Sequence, residues 1–402
     1  MNQGVAITGM GIISAIGNDV ASNYRSLLSG TTGVQRVSKI DTIHRDAIWV
    51  GEIEHSNAQL EAALKLPKDH NYTRTAMLGL WAAKEAVADA KITSDAMVRT
   101  GIISATTVGG MDMTERYFYE YLHSEACRKY IESHHAGDHS QKIATALGIN
   151  HGLVTTISTA CSSAANSVML GARLIKTGRL DRVIVGGVDP LSKFTINGFN
   201  ALMILSDAHN TPFDQHRKGL NLGEAAAYLV LESDTLVKQE AKKVYAYVSG
   251  YGNANDAFHQ TASSDHGDGA TLSMQKALEV AGLSPRDIHY INAHGTATRN
   301  NDLSEGRALI RVFGDAVPPF SSTKPFTGHT LAAAGGVEAV FSVLALQHNT
   351  IFPNLNFESP MEEFKLRPET QATERELTHV LSNSLGFGGN CSTVIYSKAT
   401  PS

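Results

Sequence analysis

One cysteine, two histidines and a glycine-flanked phenylalanine have settings in which side chains do chemistry. Cys161 lies in Thr155-Thr156-Ile157-Ser158-Thr159-Ala160-Cys161-Ser162-Ser163-Ala164-Ala165-Asn166, where a β-branched run stops and a helix of small residues is expected to start at the cysteine. The helical pattern runs on through Lys176 and ends at Gly178. A thiol at a helix N-terminus faces unpaired N–H groups and the positive end of the dipole, which favour the thiolate. That makes Cys161 a candidate nucleophile; a small buried hydrophobe is the other role open to it. His294 ends Tyr290-Ile291-Asn292-Ala293 and precedes Gly295-Thr296-Ala297-Thr298, while His329 ends Lys324-Pro325-Phe326-Thr327-Gly328 before an alanine- and glycine-rich helix. Either histidine alone is an ordinary satisfied polar residue. Two imidazoles that each follow a strand, flanked by Gly and Thr, point to one edge of an α/β sheet, where ligands collect. In Asn383-Ser384-Leu385-Gly386-Phe387-Gly388-Gly389-Asn390 the glycines allow close backbone approach and hinge motion, and Phe387 between them is unusual for a plain turn.

The elements that must position these groups are readable from periodicity. Val5 to Ile13 reads as a buried strand opening into glycines. Its Gly9-x-Gly11 lacks the third glycine of a dinucleotide fingerprint, so a nicotinamide site is not expected there. Helices are expected at Val20–Leu28 and Thr73–Ala90, and a strand at Thr100–Ala105 leads into Thr106-Thr107-Val108-Gly109-Gly110. Strand Val154–Ser158, helix Cys161–Thr177 and strand Arg182–Gly187 form a β-α-β unit, whose continuous apolar strands argue for a buried, largely parallel sheet. Tyr245–Gly252 echoes residues 5–11 and starts a second half, with helices at Gly269–Ala281 and Thr330–His348. Two tandem α/β halves, 1–243 and 244–402, are joined by a charged helical connection near Glu232–Lys243.

Composition narrows the classes. A net charge of −5 without any Lys/Arg block argues against nucleic acid, though a local basic patch for an acidic protein partner stays open. Cys127, Cys161 and Cys391 are too few and too scattered for a disulfide framework or a metal-spaced pair. No basic n-region precedes an apolar stretch, and no apolar run approaches the ~20 residues that span a bilayer. A cytoplasmic protein without membrane insertion is expected.

Together these residues resemble a β-ketoacyl-acyl-carrier-protein synthase of the decarboxylating elongation type, within the thiolase superfamily. The resemblance covers nearly the whole chain. It rests on Thr159-Ala160-Cys161-Ser162-Ser163, Pro212-Phe213-Asp214 with Arg217 and Gly223-Glu224, His294-Gly295-Thr296-x-Thr298, Lys324-x-x-x-Gly328-His329 and Gly386-Phe387-Gly388-Gly389, in that order. It implies a thiolase-like α/β fold of two tandem αβαβα halves, forming a five-layered core. It further implies that Cys161 carries the acyl chain, that the Cys161 and Phe387 N–H groups form an oxyanion hole, and that His294 and His329 hold the malonyl thioester carbonyl. Lys324 would pair with Glu338, either supporting the site or as a purely structural pair. Thr296 and Thr298 would bond the pantetheine arm, Phe387 with Gly386 and Gly388 would gate access, and Val108 would bound the acyl pocket. No resident cofactor is implied, apart from a structural monovalent cation at Asn292, Glu338 and Ser384. The implied partners are acyl carrier protein and a second copy, or a ketosynthase-like heterodimer partner.

Arg299-Asn300-Asn301, Lys218, Leu385 and Asn390-Cys391 depart from the family's usual residues, which leaves a specialised polyene or polyketide synthase open beside a housekeeping one. A degradative thiolase would need a second catalytic Cys in another setting than that of Cys391, and an initiating synthase would carry Asn where His329 stands. A chain-length-factor subunit would lack the nucleophile; the catalytic half of such a heterodimer would keep it.

Overall fold

Each half of the chain builds five strands in the same spatial order, and the two sets join edge to edge. The computed structural model describes residues 4–92, 98–149 and 152–399. The strands are β1 Val5–Ser14, β2 Thr100–Ala105, β3 Leu153–Ile157, β4 Arg182–Asp189, β5 Ala225–Ser233, β6 Ala246–Asn255, β7 Tyr290–Asn292, β8 Phe320–Ser321, β9 His379–Gly386 and β10 Asn390–Lys398. They hydrogen-bond in the order β8-β7-β9-β10-β6-β1-β5-β4-β2-β3. The N-terminal half therefore runs β3-β2-β4-β5-β1, and the C-terminal half repeats it as β8-β7-β9-β10-β6. The seam is short, with Ala6 opposite Tyr247 and Ile7 opposite Ala246.

The sheet is mixed, where a largely parallel one was expected. In each half three strands run parallel (β3, β2, β4 and β8, β7, β9) and the remaining contacts are antiparallel. The tight turn between β9 and β10 leaves only an antiparallel hairpin, whereas β4 and β5 are antiparallel across the long connection that carries the helix Lys193–Ala201.

Helices complete the layers: α1 Arg74–Asp89, α2 Ala136–Ala146, α3 Ser163–Lys176, α4 Lys193–Ala201, α5 Asp268–Ala281, α6 Arg299–Phe313 and α7 Ala334–His348. Helices α1 and α2 cover the outer face of the first half, and α5, backed by α6, covers that of the second. Between the halves lie α3 and α7, each touching strands of both. Outer helices, sheet, central helices, sheet and outer helices make five layers, as the thiolase-like fold requires. Helix α7 is buried on every side from Ala334 to Leu346, because it faces a sheet on both flanks. That accounts for Leu331–His348, the one stretch among the described residues long and apolar enough to cross a membrane, of which 89% is buried inside the protein. The main core cluster draws on both halves, from Val5 and Ile12 to Val394 and Tyr396.

Candidate active site

Cys161 sits on a turn between β3 and α3, two residues before the helix begins at Ser163. Ala160 adopts φ +51°, a left-handed conformation that is costly for a residue with a Cβ. The turn is held by its own serines: Thr159 N–H donates to Ser163 Oγ at 2.8 Å, and Ser163 Oγ donates to the Ala160 carbonyl. Two expectations are thereby corrected. The helix does not start at the cysteine, because the backbone turns left-handed first. Nor is the resting thiol a thiolate, because burial pushes it up to about 12, outweighing Lys324 and the Phe387 N–H, which act in the opposite sense.

The histidine motifs are shaped by one glycine each. Gly295 has φ +37°, and a Cβ there would lie 2.6 Å from the Ser322 Cβ; Gly328 has φ +72°, and a Cβ would lie 2.5 Å from the Leu222 carbonyl oxygen. His294 follows β7 by two residues, and its N–H and that of Gly295 donate to the Glu305 carboxylate at 2.9 and 2.8 Å. Asp302 accepts the N–H groups of Phe213 at 2.7 Å and Ala297 at 3.1 Å. These two acids of α6 hold the His294–Thr298 segment in place, beside Arg217. His329 is fixed through its backbone, which donates to the Asn221 carbonyl at 2.7 Å.

The two imidazoles stand edge to face, 5.3 Å between centroids at 86°. Both are buried. Burial, then the Lys324 charge, holds each well below the ordinary histidine range, and His329 adds to the effect at His294. Hydrogen bonds assign their tautomers. Lys324 Nζ donates to Glu338 Oε1, to the His294 carbonyl and, at 3.2 Å, to His294 Nδ1. An ammonium has no acceptor, so His294 Nδ1 accepts and Nε2 carries the proton. Leu331 N–H donates to His329 Nδ1 at 3.2 Å, which likewise leaves the proton on Nε2. Both rings are neutral donors through Nε2. Lys324 and Glu338 are each 2% exposed, and Lys324 spends its three donors on this one cluster.

Two cavities meet at Cys161. The larger, about 720 Å³, is lined by Cys161, His294, His329, Thr296, Thr298 and Phe387. Thr296 and Thr298 are joined through their hydroxyls at 2.9 Å. The smaller, about 390 Å³ and mostly apolar, reaches Val108, Leu331 and the α4 residues Phe194 and Phe199. Phe387 lines both cavities, and so does Phe199, whose ring stacks on it at 5.9 Å and 16°. Phe387 belongs to the tight β9–β10 turn, where its N–H meets the Cys161 sulfur. Gly386 permits that approach, since a Cβ there would lie 3.0 Å from the Cys161 nitrogen. Gly388, at φ +75°, bonds Gln260 and Asn255.

The structure thus brings together Cys161, His294, His329, Lys324, Glu338, Thr296, Thr298, Val108 and Phe387, with Gly386 and Gly388 shaping the turn. Three contributors escape the sequence motifs. Asp189 bonds the Thr106 hydroxyl, Thr107 N–H and Ala332 N–H, tying the Val108 loop to the turn behind His329. An acid ending an otherwise apolar strand was its signal. Asn300 clamps Ser263 reciprocally, at 2.7 and 3.0 Å, which steadies the loop that carries Gln260. Phe199 left no mark in the sequence. For a cation, Asn292 offers a buried carboxamide whose Oδ1 and Nδ2 have no protein partner, and Ser384 Oγ donates to Glu338 Oε2 at 3.3 Å. Such an oxygen donor set fits a hard ion. No cluster of His, Cys, Asp and Glu suited to a transition metal occurs among the described residues.

A cysteine on a strained turn and two buried imidazoles from the second of two matching halves line one cavity of a thiolase-like fold. Residues 2–236 match the family "Beta-ketoacyl synthase, N-terminal domain" and residues 245–358 match "Beta-ketoacyl synthase, C-terminal domain". The chain belongs to the β-ketoacyl synthase family. It is 33% identical over 412 residues to 3-oxoacyl-[acyl-carrier-protein] synthase 2 of Staphylococcus aureus (strain COL), covering 99% of each chain. A chain of the ishigamide ketosynthase/chain length factor superposes with a TM-score of 0.92 at 29% identity, covering 100% of both. A chain from the complex of the ketosynthase ApeO with its chain length factor ApeC, from Xenorhabdus doucetiae, gives 0.84 at 30% identity, covering 99% of this chain and 98% of that one.

Proposed function

We propose that the protein is a β-ketoacyl-acyl-carrier-protein synthase, which lengthens a cysteine-bound acyl chain by two carbons taken from malonyl-carrier protein. The observation that carries this reading is the pair of neutral Nε2–H donors facing the same cavity as Cys161. In the first step the Cys161 thiol attacks an acyl thioester. A C–S bond to Cys161 forms, the old C–S bond breaks, and the thiol proton leaves with the departing pantetheine sulfur. The N–H groups of Cys161 and Phe387 meet the oxyanion that develops. The apolar chain then lies in the smaller cavity, bounded by Val108. In the second step His294 and His329 donate to the malonyl thioester carbonyl, so that loss of CO2 leaves a stabilised enolate. Its carbon attacks the acyl carbonyl, and the released Cys161 thiolate takes a proton from water.

Lys324 and Glu338 act on this chemistry through His294: the ammonium fixes the tautomer and favours the anionic intermediate, and Glu338 balances its charge. Thr296 and Thr298 bond the pantetheine arm, and Phe387 gates passage between the two cavities. Asn292, Glu338 and Ser384 would hold a monovalent cation, supplying structural charge beside Glu338; the reaction needs no other resident group. The halves divide at residues 243 and 244. Acyl carrier protein is the substrate's carrier. The likeness to chains from ketosynthase/chain-length-factor structures supports a second reading, in which this chain is the catalytic half of a heterodimer rather than a homodimer, working in the cytoplasm in either case.

A condensation assay with malonyl-carrier protein and a panel of acyl primers, run on the chain purified alone, tests both readings. Wild type is expected to condense and to gain the mass of one acyl group; Cys161→Ala is expected to do neither. Covalent acylation that persists in Cys161→Ala, seen by intact mass, refutes the nucleophile. Condensation by the chain alone excludes an obligate heterodimer.

A further inference from the structure

One wall of the smaller cavity carries a glycine that the backbone does not require. Gly198 is an interior residue of α4 and is not among the glycines with positive φ. A Cβ added there would meet no atom within 4 Å, in contrast to Gly186, where it would come within 2.8 Å of the Tyr228 ring. Neither strain nor close packing therefore excludes a side chain. Glycine is also the poorest helix former after proline, so at this position it weakens α4. What the missing side chain leaves open is the mouth, on the exposed face of α4, of the cavity that Gly198 lines with Cys161, Phe194, Phe199 and Leu202. Phe194, Gly198 and Leu202 follow one another at four-residue spacing along one face, so the glycine is a gap between two apolar side chains.

We propose that Gly198 sets the length and bulk of the acyl chain that Cys161 holds, by keeping that gap free for the chain's apolar body. The proposal rests on the function proposed above, since it takes Cys161 as the acyl carrier. It assigns specificity to α4, in addition to Val108 on the opposite loop.

The test measures kcat/KM for acyl primers of increasing length with wild type, Gly198→Ala and Gly198→Leu, together with thermal midpoints and elution volumes. Removing room for a few methylenes should lower the ratio of kcat/KM for the longest usable primer to that for the shortest by at least about tenfold in Gly198→Leu, with Gly198→Ala between. Gly198→Ala should not lower the thermal midpoint, because alanine is the better helix former. An unchanged ratio overturns the proposal, including the case of a uniform loss across all primers. A shifted elution volume with an unchanged ratio assigns Gly198 to a subunit contact and overturns it too. A wild type that neither condenses any primer nor gains the mass of an acyl group overturns the proposed function, and the role of Gly198 with it; where the chain is acylated without condensing, the same ratio is read from the rates of acylation.

Discussion

At the scale of single residues, the candidate site holds its groups in the protonation states that the proposed reaction needs. Burial keeps the Cys161 thiol protonated and His294 and His329 neutral. Lys324 has its charge balanced by Glu338 and its hydrogens committed to His294, so a fixed cation sits behind the imidazole instead of within reach of solvent. The pH consequence has a definite sign. A histidine whose folded pKa is lowered stays in its neutral, donating form as pH falls through its ordinary value of about 6.5. We therefore expect kcat to show no imidazole ionisation between about pH 6 and 8, with any acid limb lying lower. A kcat profile that falls with an apparent pKa near 6.5 would contradict the buried neutral pair.

At the scale of elements, the candidate site is built from short turns at strand ends rather than from the strands themselves. The turn after β3 lifts Cys161, the one after β7 presents His294, the segment after β8 presents His329, and the β9–β10 turn brings Phe387 onto the sulfur. These turns meet because equivalent strands of matching halves end at the same place. Gly386 is the junction where the Phe387 turn meets the Cys161 turn. Its φ of −124° is ordinary, so only space demands glycine there, and an alanine Cβ would press on the Cys161 nitrogen. Gly386→Ala should move the Phe387 N–H off the sulfur and lower the rate of Cys161 acylation at least about tenfold, the scale of losing one oxyanion donor. Acylation as fast as wild type, followed by intact mass, would show that the junction has slack.

At the scale of the whole molecule, the two halves are one folding unit. Helices α3 and α7 each pack on both sets of strands, and the main core cluster takes residues from β1 through β10. A chain ending at residue 243 would lose α7 and leave the inner face of the first sheet and α3 exposed to water. We expect residues 1–243 expressed alone to lack a cooperative thermal transition and to bind a hydrophobic dye, because a large apolar face is then unpaired. A sharp transition without dye binding would establish independent folding.

Much of this was legible in local patterns. The β-branched run before Cys161, the Gly-Thr setting of His294, the Gly328-His329 pair and the Gly386–Gly389 turn each state a backbone requirement that few other residues meet. Such requirements belong to neighbouring residues, so order and spacing display them. What the sequence did not display depends on atoms far apart along the chain. The Cys161 thiol is neutral because distant segments close over it, which a helix-dipole argument cannot weigh. The tautomers of His294 and His329 follow from Lys324 and Leu331, donors that only folding brings into place. The stack of Phe199 on Phe387 joins residues from opposite halves, and the open space before Gly198 is a property of what surrounds it. Residue types and local backbone geometry were fixed by neighbours in sequence; protonation, reach and room were decided by neighbours in space.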